Sequence, residues 1–326
     1  MAEMNMAKAI NKALYEAMER DERVVVLGED VGKDEGVFRI TEGLHAKFGD
    51  KRVIDTPLAE SAIVGTSIGM ALYGLRPVCE IQFSGFDYYN YHQLESHAAR
   101  FRNRTRGRLT VPMVMRAPYG GGIRALEHHS ESREAIYAHT PGLKVVIPSG
   151  PRNARALLHA AIQDPDAVVY YEPKALYRAF KEDVPDQIET LPIGQAQIVK
   201  KGSNITLISY GASLRNTLEA AEILEEEHDI KAEVIDLLSI APLDTETIID
   251  SVKKTGRAVV VHEGPRTCGI GAEVVARINE HVLLYLEAPV KRVTGFDVVI
   301  PYFSKEKAYL PDADRIVTAA LETLEF

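Results

Sequence analysis

The sequence contains few of the residues and motifs that mark common metal and nucleotide sites. Its 326 residues include two cysteines, Cys79 and Cys268, without C-x-x-C spacing. This argues against a disulfide framework, a zinc site or an iron–sulfur cluster. Neither G-x-G-x-x-G nor G-x-x-x-x-G-K-[ST] occurs, so nucleotide binding through a familiar glycine loop is not supported. The formal net charge of −9 argues against nucleic-acid binding, which depends on clustered Lys and Arg.

No stretch of the sequence is long enough to cross a membrane as a helix. The longest run without a charged residue covers residues 61–75, whereas a membrane helix needs about 20 apolar residues. The N-terminal segment MAEMNMAKAINKAL has an acidic residue and no apolar core, so we predict no signal peptide. The content of 46% hydrophobic and 26% charged residues is typical of globular proteins. We therefore expect a cytoplasmic protein.

Short apolar runs alternate with amphipathic segments and predict an α/β fold. The predicted strands are RVVVLG, RVID, RPVCEIQF, PMVMRA, LKVVIP and AVVYYE, separated by helices near residues 6–20, 56–75, 87–102, 132–139 and 151–164. This order favours a mostly parallel sheet with helices on both faces.

A charged, proline-containing segment at residues 177–194 interrupts this alternation. After it, NITLISYG, KAEVIDL, RAVVVHE and PVKRVTG alternate with predicted helices near 214–227, 245–254 and 272–285. A chain of 326 residues favours about two domains. We place the first domain at residues 1–180, a linker at 181–193, and a smaller α/β domain at 194–326.

Glu60 stands at the start of the uncharged segment. Thr56 and Pro57 have the pattern of a helix start, which places Glu60 near the first turn. A first-turn carboxylate gains about 0.3–1 kcal/mol from the helix dipole, whereas burying it costs several kcal/mol without a partner. Glu60 is therefore either exposed or met by a polar group outside this segment. The G-x-S-x-G pattern at 65–69 is not a nucleophile elbow, because an elbow must follow a strand directly.

The most suggestive loop is APYGGGIRALEHHSES, residues 117–132. Its three glycines allow unusual backbone angles, and His128 and His129 precede the next predicted helix. Two interpretations are open: a solvated surface loop, or an imidazole held over a site by a mobile loop. Gln82 and Phe86 follow a predicted strand at the edge where open α/β sheets bind ligands. Taken alone, their positions favour a structural interpretation, with Phe86 in the core and Gln82 capping a backbone group.

Several motifs, in their order and spacing, resemble one known family. They are GEDVG, RVIDTPLAES, GLRPVCEIQF, HHSES, PGLKVVIPS and EPKALYRAF. Together they resemble the beta subunit of the 2-oxo acid dehydrogenase decarboxylating component, a transketolase-like thiamine-diphosphate family that serves the pyruvate and branched-chain complexes. The resemblance extends over residues 4–326. It implies a transketolase-like pyrimidine-binding domain followed by a transketolase C-terminal domain.

The resemblance implies roles for five residues. In this family the glutamate that matches Glu60 hydrogen-bonds a ring nitrogen of the cofactor's aminopyrimidine and stabilises the imino form that deprotonates the thiazolium carbon. The missing partner of Glu60 would then be thiamine diphosphate. Phe86 matches an aromatic residue against the pyrimidine, and Leu58 and Gln82 match residues lining the same cavity. His129 matches a histidine that acts when the acyl group passes to lipoyl.

The resemblance also implies partners. The chain has no G-D-G motif followed by paired asparagines, which fits a heterotetramer of two alpha and two beta subunits. The alpha subunit would hold Mg²⁺ and the diphosphate, and we assign no metal ligand to this chain. The second domain would make dimer contacts and dock the lipoyl-bearing acyltransferase of the multienzyme complex.

We therefore predict an oxidoreductase that decarboxylates a small 2-oxo acid and is active only with its alpha subunit. The motifs EIQF and EPKALYR favour branched-chain-like members over pyruvate. One alternative is an acetoin dehydrogenase beta subunit, which uses the same cofactor. Another is a non-catalytic assembly subunit of the same fold, although a scaffold would need neither Glu60 nor His129.

Overall fold

A computed structural model describes residues 2–326. The strands are β1 Ala2–Met4, β2 Val24–Gly28, β3 Val53–Asp55, β4 Arg76–Glu80, β5 Val114–Tyr119, β6 Lys144–Val146, β7 Val168–Pro173, β8 Glu182–Val184, β9 Gln197–Lys200, β10 Ile205–Ser209, β11 Ala232–Asp236, β12 Ser239–Ala241, β13 Ala258–His262 and β14 Lys291–Thr294.

The α-helices are α1 Met6–Arg20, α2 Leu44–Phe48, α3 Glu60–Leu72, α4 Tyr91–Ser96, α5 Phe101–Arg104, α6 Glu134–Ala138, α7 Pro151–Gln163, α8 Ser213–His228, α9 Thr245–Thr255, α10 Ile270–Val282, α11 Phe303–Tyr309 and α12 Ala313–Leu324. Five 3-10 segments accompany them: Ser84–Tyr89, Ala98–Arg100, Glu127–His129, Lys174–Leu176 and Leu283–Tyr285. Within residues 2–326, no helix combines the length and apolar character needed to cross a membrane.

Two mostly parallel sheets organise the chain. The larger has seven strands in the order β12-β6-β7-β5-β4-β2-β3, and the smaller has five in the order β14-β13-β10-β11-β9. All neighbours are parallel except β12 with β6 and β9 with β11. The edge strand β12 of the larger sheet comes from the C-terminal half of the chain. The predicted α/β class is confirmed.

Helices cover both faces of the seven-stranded sheet, as predicted. Because successive side chains of a strand point to opposite faces, Val26 packs into the core formed with α1 and α7, whereas Leu27 packs into the core formed with α3. The core on the α3 side continues into the five-stranded sheet through Ile208 and Val260. The two sheets are therefore joined by continuous apolar packing.

The predicted helix start at Thr56 and Pro57 is wrong. The Thr56 N–H donates to the Gly28 carbonyl at 2.9 Å. The backbone at Thr56 is therefore still hydrogen-bonded to the end of β2, as in a strand. The helix α3 begins only at Glu60, with Ala59 as its N-terminal flanking residue. Glu60 is thus the first residue of the helix.

The single helix predicted at residues 87–102 is also wrong, because the chain there forms short helical pieces. The Asp87 carboxylate is buried and accepts a hydrogen bond from Arg133 Nε at 2.8 Å. The Asp87 carbonyl accepts a bond from the Tyr137 hydroxyl at 3.0 Å. These tertiary bonds draw the backbone away from a regular helix.

Near the predicted 132–139 helix, α6 covers only Glu134–Ala138. Its start is delayed because the Ser132 hydroxyl donates to Glu263 at 3.2 Å and does not cap the helix. Helices α11 and α12 were not predicted from the sequence.

Asp236 connects the two sheets and yields a prediction about stability. The Ser149 hydroxyl, just beyond β6, donates to the Asp236 carboxylate at the end of β11. Burial raises the pKa of Asp236 to about 7, whereas an unfolded aspartate ionises near pH 4. The folded chain therefore retains a proton between these pH values. The stability from this group is complete below about pH 4 and falls as the pH rises towards 7, by about 1 kcal/mol per unit.

Asp236→Asn removes this titration. Urea unfolding should show the variant gaining stability relative to the wild type as the pH is raised from 5 to 7. The exposed Asp250→Asn serves as the matched control and should change little across this range. A stability difference between Asp236→Asn and wild type that does not vary with pH would contradict the assignment.

Candidate active site

The predicted site residues follow strands that end at one edge of the seven-stranded sheet. Because β2, β3, β4, β5 and β7 are parallel, their carboxyl ends lie on the same side, where open α/β sheets bind ligands. Leu58 and Glu60 follow β3, Gln82 and Phe86 follow β4, and His129 follows β5. The topology thus collects all five at one edge.

A buried ion cluster joins the three central strands near this edge. Arg116 of β5 donates through Nε and Nη2 to Glu172 of β7 at 2.6 and 2.7 Å, and through Nη1 to Glu80 of β4. All three side chains are buried. Removing one partner of such a cluster costs about 3–5 kcal/mol, because it leaves an uncompensated charge. The cluster therefore fixes the strands from which the site segments emerge.

Leu58 and Glu60 line an open cavity of about 730 Å³ at the start of α3. Its walls are Leu58, Ala59, Glu60, Ser61, Ala62, Gly65, Thr66, Tyr89 and Gln93. Glu60 is half-buried, and within residues 2–326 its carboxylate makes no hydrogen bond or salt bridge. The carboxylate can therefore bind a polar group that does not belong to this part of the chain.

Gln82 contacts an acidic pair, Glu29 and Asp30, that lies near Glu60. Its Nε2 is 3.5 Å from Asp30 Oδ2, and Asp30 follows Glu29 at the end of β2. Burial, and then the negative charges of Asp30 and Glu60, raise the pKa of Glu29. Glu29 and Asp30 thus lie near two of the predicted site residues, and the sequence interpretation missed them, although their position directly after a strand was a usable signal.

Phe86 and His129 lie together beside the cavity. Their ring centroids are 5.4 Å apart in an edge-on arrangement, and the His129 ring is 4.3 Å from that of Phe83. Burial, and then the positive charge of Lys174, lower the pKa of His129. Its Nδ1 is buried without a hydrogen-bond partner in residues 2–326. The lowered pKa favours the neutral form of the ring at pH 7.

The cavity that contains Leu58 and Glu60 adjoins the second group of predicted residues but does not include it. Neither Gln82, Phe86 nor His129 lines the cavity beside Glu60. However, the 3-10 segment Ser84–Tyr89, which carries Phe86, contributes Tyr89 to its wall. The five predicted residues thus form two adjoining parts of one edge.

Comparison with known proteins agrees with this geometry. The family model of the transketolase pyrimidine-binding domain matches residues 2–179, and that of the transketolase C-terminal domain matches residues 194–316. A pyruvate dehydrogenase E1 component subunit beta from Acholeplasma laidlawii is 51% identical over 316 residues, covering 97% of this chain and 96% of that protein. The subunit of the same name from Staphylococcus epidermidis is 49% identical over 326 residues, covering both chains completely.

The chain belongs to the family of 2-oxo acid dehydrogenase E1 beta subunits. The family predicted from the motifs is thereby confirmed, and enzymes of this family depend in general on thiamine diphosphate. The fold is also that of a split-gene transketolase in an inactive beta4 tetramer, with a TM-score of 0.81 at 22% identity over 99% of this chain and 98% of that one.

The G-x-S-x-G pattern lies inside α3. It does not follow a strand directly, so it is not a nucleophile elbow. A Cβ at Gly65 would contact the Gln93 side chain at 3.5 Å, whereas one at Gly69 would meet no atom within 4 Å. An added methyl group would therefore fit at both positions, and no contact within residues 2–326 requires glycine at either one. Gly69 lies on an exposed face of α3 that ends at Tyr73, which is 95% exposed.

Gly85 allows the close contact that brings the histidine turn onto Phe86. A Cβ at Gly85 would overlap the His128 carbonyl oxygen. Gly85→Ala should therefore destabilise the chain by about 1–3 kcal/mol, the usual effect of overpacking. Gly69→Ala is the matched control, since it adds the same atom in open space and gains up to about 1 kcal/mol of helix propensity. Urea unfolding checks this, and equal stabilities of the two variants would contradict it.

Proposed function

We propose that this chain is the catalytic beta subunit of a thiamine-diphosphate-dependent 2-oxo acid dehydrogenase. It would take part in oxidative decarboxylation of a 2-oxo acid and in transfer of the acyl group to lipoyl on an acyltransferase. The observation that carries the proposal is the carboxylate of Glu60, which lines a cavity without a partner in residues 2–326. A carboxylate placed in this way fits the ring nitrogen of an aminopyrimidine.

The donor set of the cavity suits the pyrimidine half of the cofactor and not its diphosphate. The walls combine Leu58 and Gly65 with the polar groups of Glu60, Tyr89 and Gln93. No Lys or Arg is among the cavity-lining residues, and the carboxylate of Glu60 stands at the start of α3, where its charge would repel a phosphate. This supports a division in which the alpha subunit holds the diphosphate and Mg²⁺.

The side chains have distinct tasks in this proposal. When bound, thiamine diphosphate supplies the carbon nucleophile that adds to the keto group. Glu60 holds a proton between its carboxyl oxygen and the ring nitrogen, and Leu58 lines the same pocket. Gln82 and Phe86 would contact the ligand from the adjoining part of this edge. His129, kept neutral by its burial, can accept or donate a proton during acyl transfer.

The assembly follows from the same proposal. Two alpha and two beta subunits would form a cytoplasmic heterotetramer within a multienzyme complex. The boundaries at residues 180 and 194 would separate a pyrimidine-binding domain from a C-terminal domain that docks the acyltransferase. The names of the relatives above favour pyruvate as substrate, whereas EIQF and EPKALYR favour a branched-chain acid. An acetoin dehydrogenase or a non-catalytic scaffold is not favoured.

Glu60→Gln tests the proposal in the enzyme assembled with its alpha subunit. The amide has nearly the same shape but cannot exchange a proton with the ring nitrogen. Hydrogen–deuterium exchange at the thiazolium carbon, and decarboxylation of pyruvate and of branched 2-oxo acids, should slow by about 10²–10⁴-fold. Assembly and cofactor binding should change little.

Glu246→Gln is the matched control, because Glu246 is also a first-turn carboxylate, at the start of α9. It should lose only the dipole contribution of about 0.3–1 kcal/mol in stability and keep full activity. If Glu60→Gln stays within a few-fold of wild type in carbon exchange, Glu60 is structural and the proposal fails.

A further inference from the structure

The loop at residues 120–131, which carries His129, has a backbone that needs support. At its base, the Gly120 N–H donates to the Glu131 carbonyl at 3.1 Å, and the Ser84 hydroxyl donates to the same carbonyl at 2.7 Å. Gly120, Gly122 and Arg124 have φ angles of 77°, 93° and 58°. Arg124 is not a glycine, so its left-handed conformation costs free energy that surrounding contacts must offset.

Glu306 supplies such contacts from the far end of the chain. This residue lies on α11, beyond the five-stranded sheet, and is buried, with 3% of its surface exposed. Its Oε1 accepts the Gly122 N–H at 2.9 Å, and its Oε2 accepts the Arg124 N–H at 2.9 Å. Hydrogen bonds to an ionised acceptor are roughly twice as strong as neutral ones. Both carboxylate oxygens are thus used to hold the loop backbone.

Lys174 holds the same loop from the seven-stranded sheet. It follows β7 directly, is buried, and donates from Nζ to the Gly120 carbonyl. Its positive charge interacts with the carboxylates of Glu263 and Glu306. The loop is therefore bound between a cation after β7 and an anion on α11, so its position depends on both halves of the chain.

We propose that Glu306 is a positioning residue, which holds loop 120–131 through the Gly122 and Arg124 amides and thereby sets the place of His129. This inference rests on the proposed role of His129 in acyl transfer. Glu306 itself touches neither substrate nor cofactor in this proposal. Its effect on the reaction therefore passes entirely through the loop.

The first test is amide hydrogen exchange on the purified full chain, without cofactor or partner. Glu306→Gln replaces one acceptor oxygen by an NH₂ group that cannot accept a bond from an amide. Exchange in residues 120–126 should become about ten-fold faster or more, as expected for the loss of a hydrogen bond to a charged group. Lys305→Gln, an exposed change on the same helix, is the control and should leave this exchange unchanged.

The second test is kinetic and uses the assembled enzyme. Glu306→Gln should slow the complete reaction, with transfer to lipoyl, about ten-fold or more, while decarboxylation with an artificial electron acceptor stays within about two-fold. The double variant with His129→Ala should be no slower than His129→Ala alone, because residues that act as one unit are not additive.

The outcomes separate this inference from the proposed function. If amide exchange in residues 120–126 is unchanged in Glu306→Gln, the anchoring by Glu306 is overturned, whatever the kinetic result. Faster exchange combined with fully additive losses in the double variant overturns its action through His129. If Glu306→Gln does not fold, Glu306→Asp keeps the charge with a shorter reach and should give intermediate exchange, whereas wild-type exchange in that variant contradicts the proposal. If the assembled wild-type enzyme has no decarboxylase activity, the proposed function is refuted, but the exchange result remains valid.

Discussion

The buried cluster of Arg116, Glu80 and Glu172 is the constraint on which the site depends. It joins β4, β5 and β7 through side chains that are removed from water, so each charge requires the others. Three segments of the site begin directly after these strands: the one with Gln82 and Phe86, the loop with His129, and Lys174. A shift in strand register would therefore move all of them relative to one another.

Glu60 shows how a site can be incomplete within one chain. Its helix has a charge-free outer face on which Gly69 and Tyr73 are exposed, and its carboxylate meets no partner in residues 2–326. Because Glu60 is half-buried, water solvates its carboxylate in the isolated chain, and a ligand would replace that water. Exposed apolar patches often mark interaction sites, so the uncovered face of α3 fits the division of labour we propose, in which ligand and partner subunit complete the site.

The sequence was most informative where local pattern decides structure. The apolar runs predicted the parallel strands, and the motifs identified the family and the five candidate site residues. Prediction failed where a distant bond overrides local preference, as at Thr56, held by the Gly28 carbonyl, and at Asp87, held by Arg133. Glu306 lies 184 residues from Gly122 along the chain, and no local pattern indicates that pairing.

If this chain holds only half of a cofactor site, calorimetry should show it. Thiamine diphosphate with Mg²⁺ is titrated into the purified chain and into its complex with the alpha subunit. We expect tight, saturable binding to the complex and only weak binding to the chain alone. A micromolar site on the isolated chain would contradict the division of the cofactor between the two subunits.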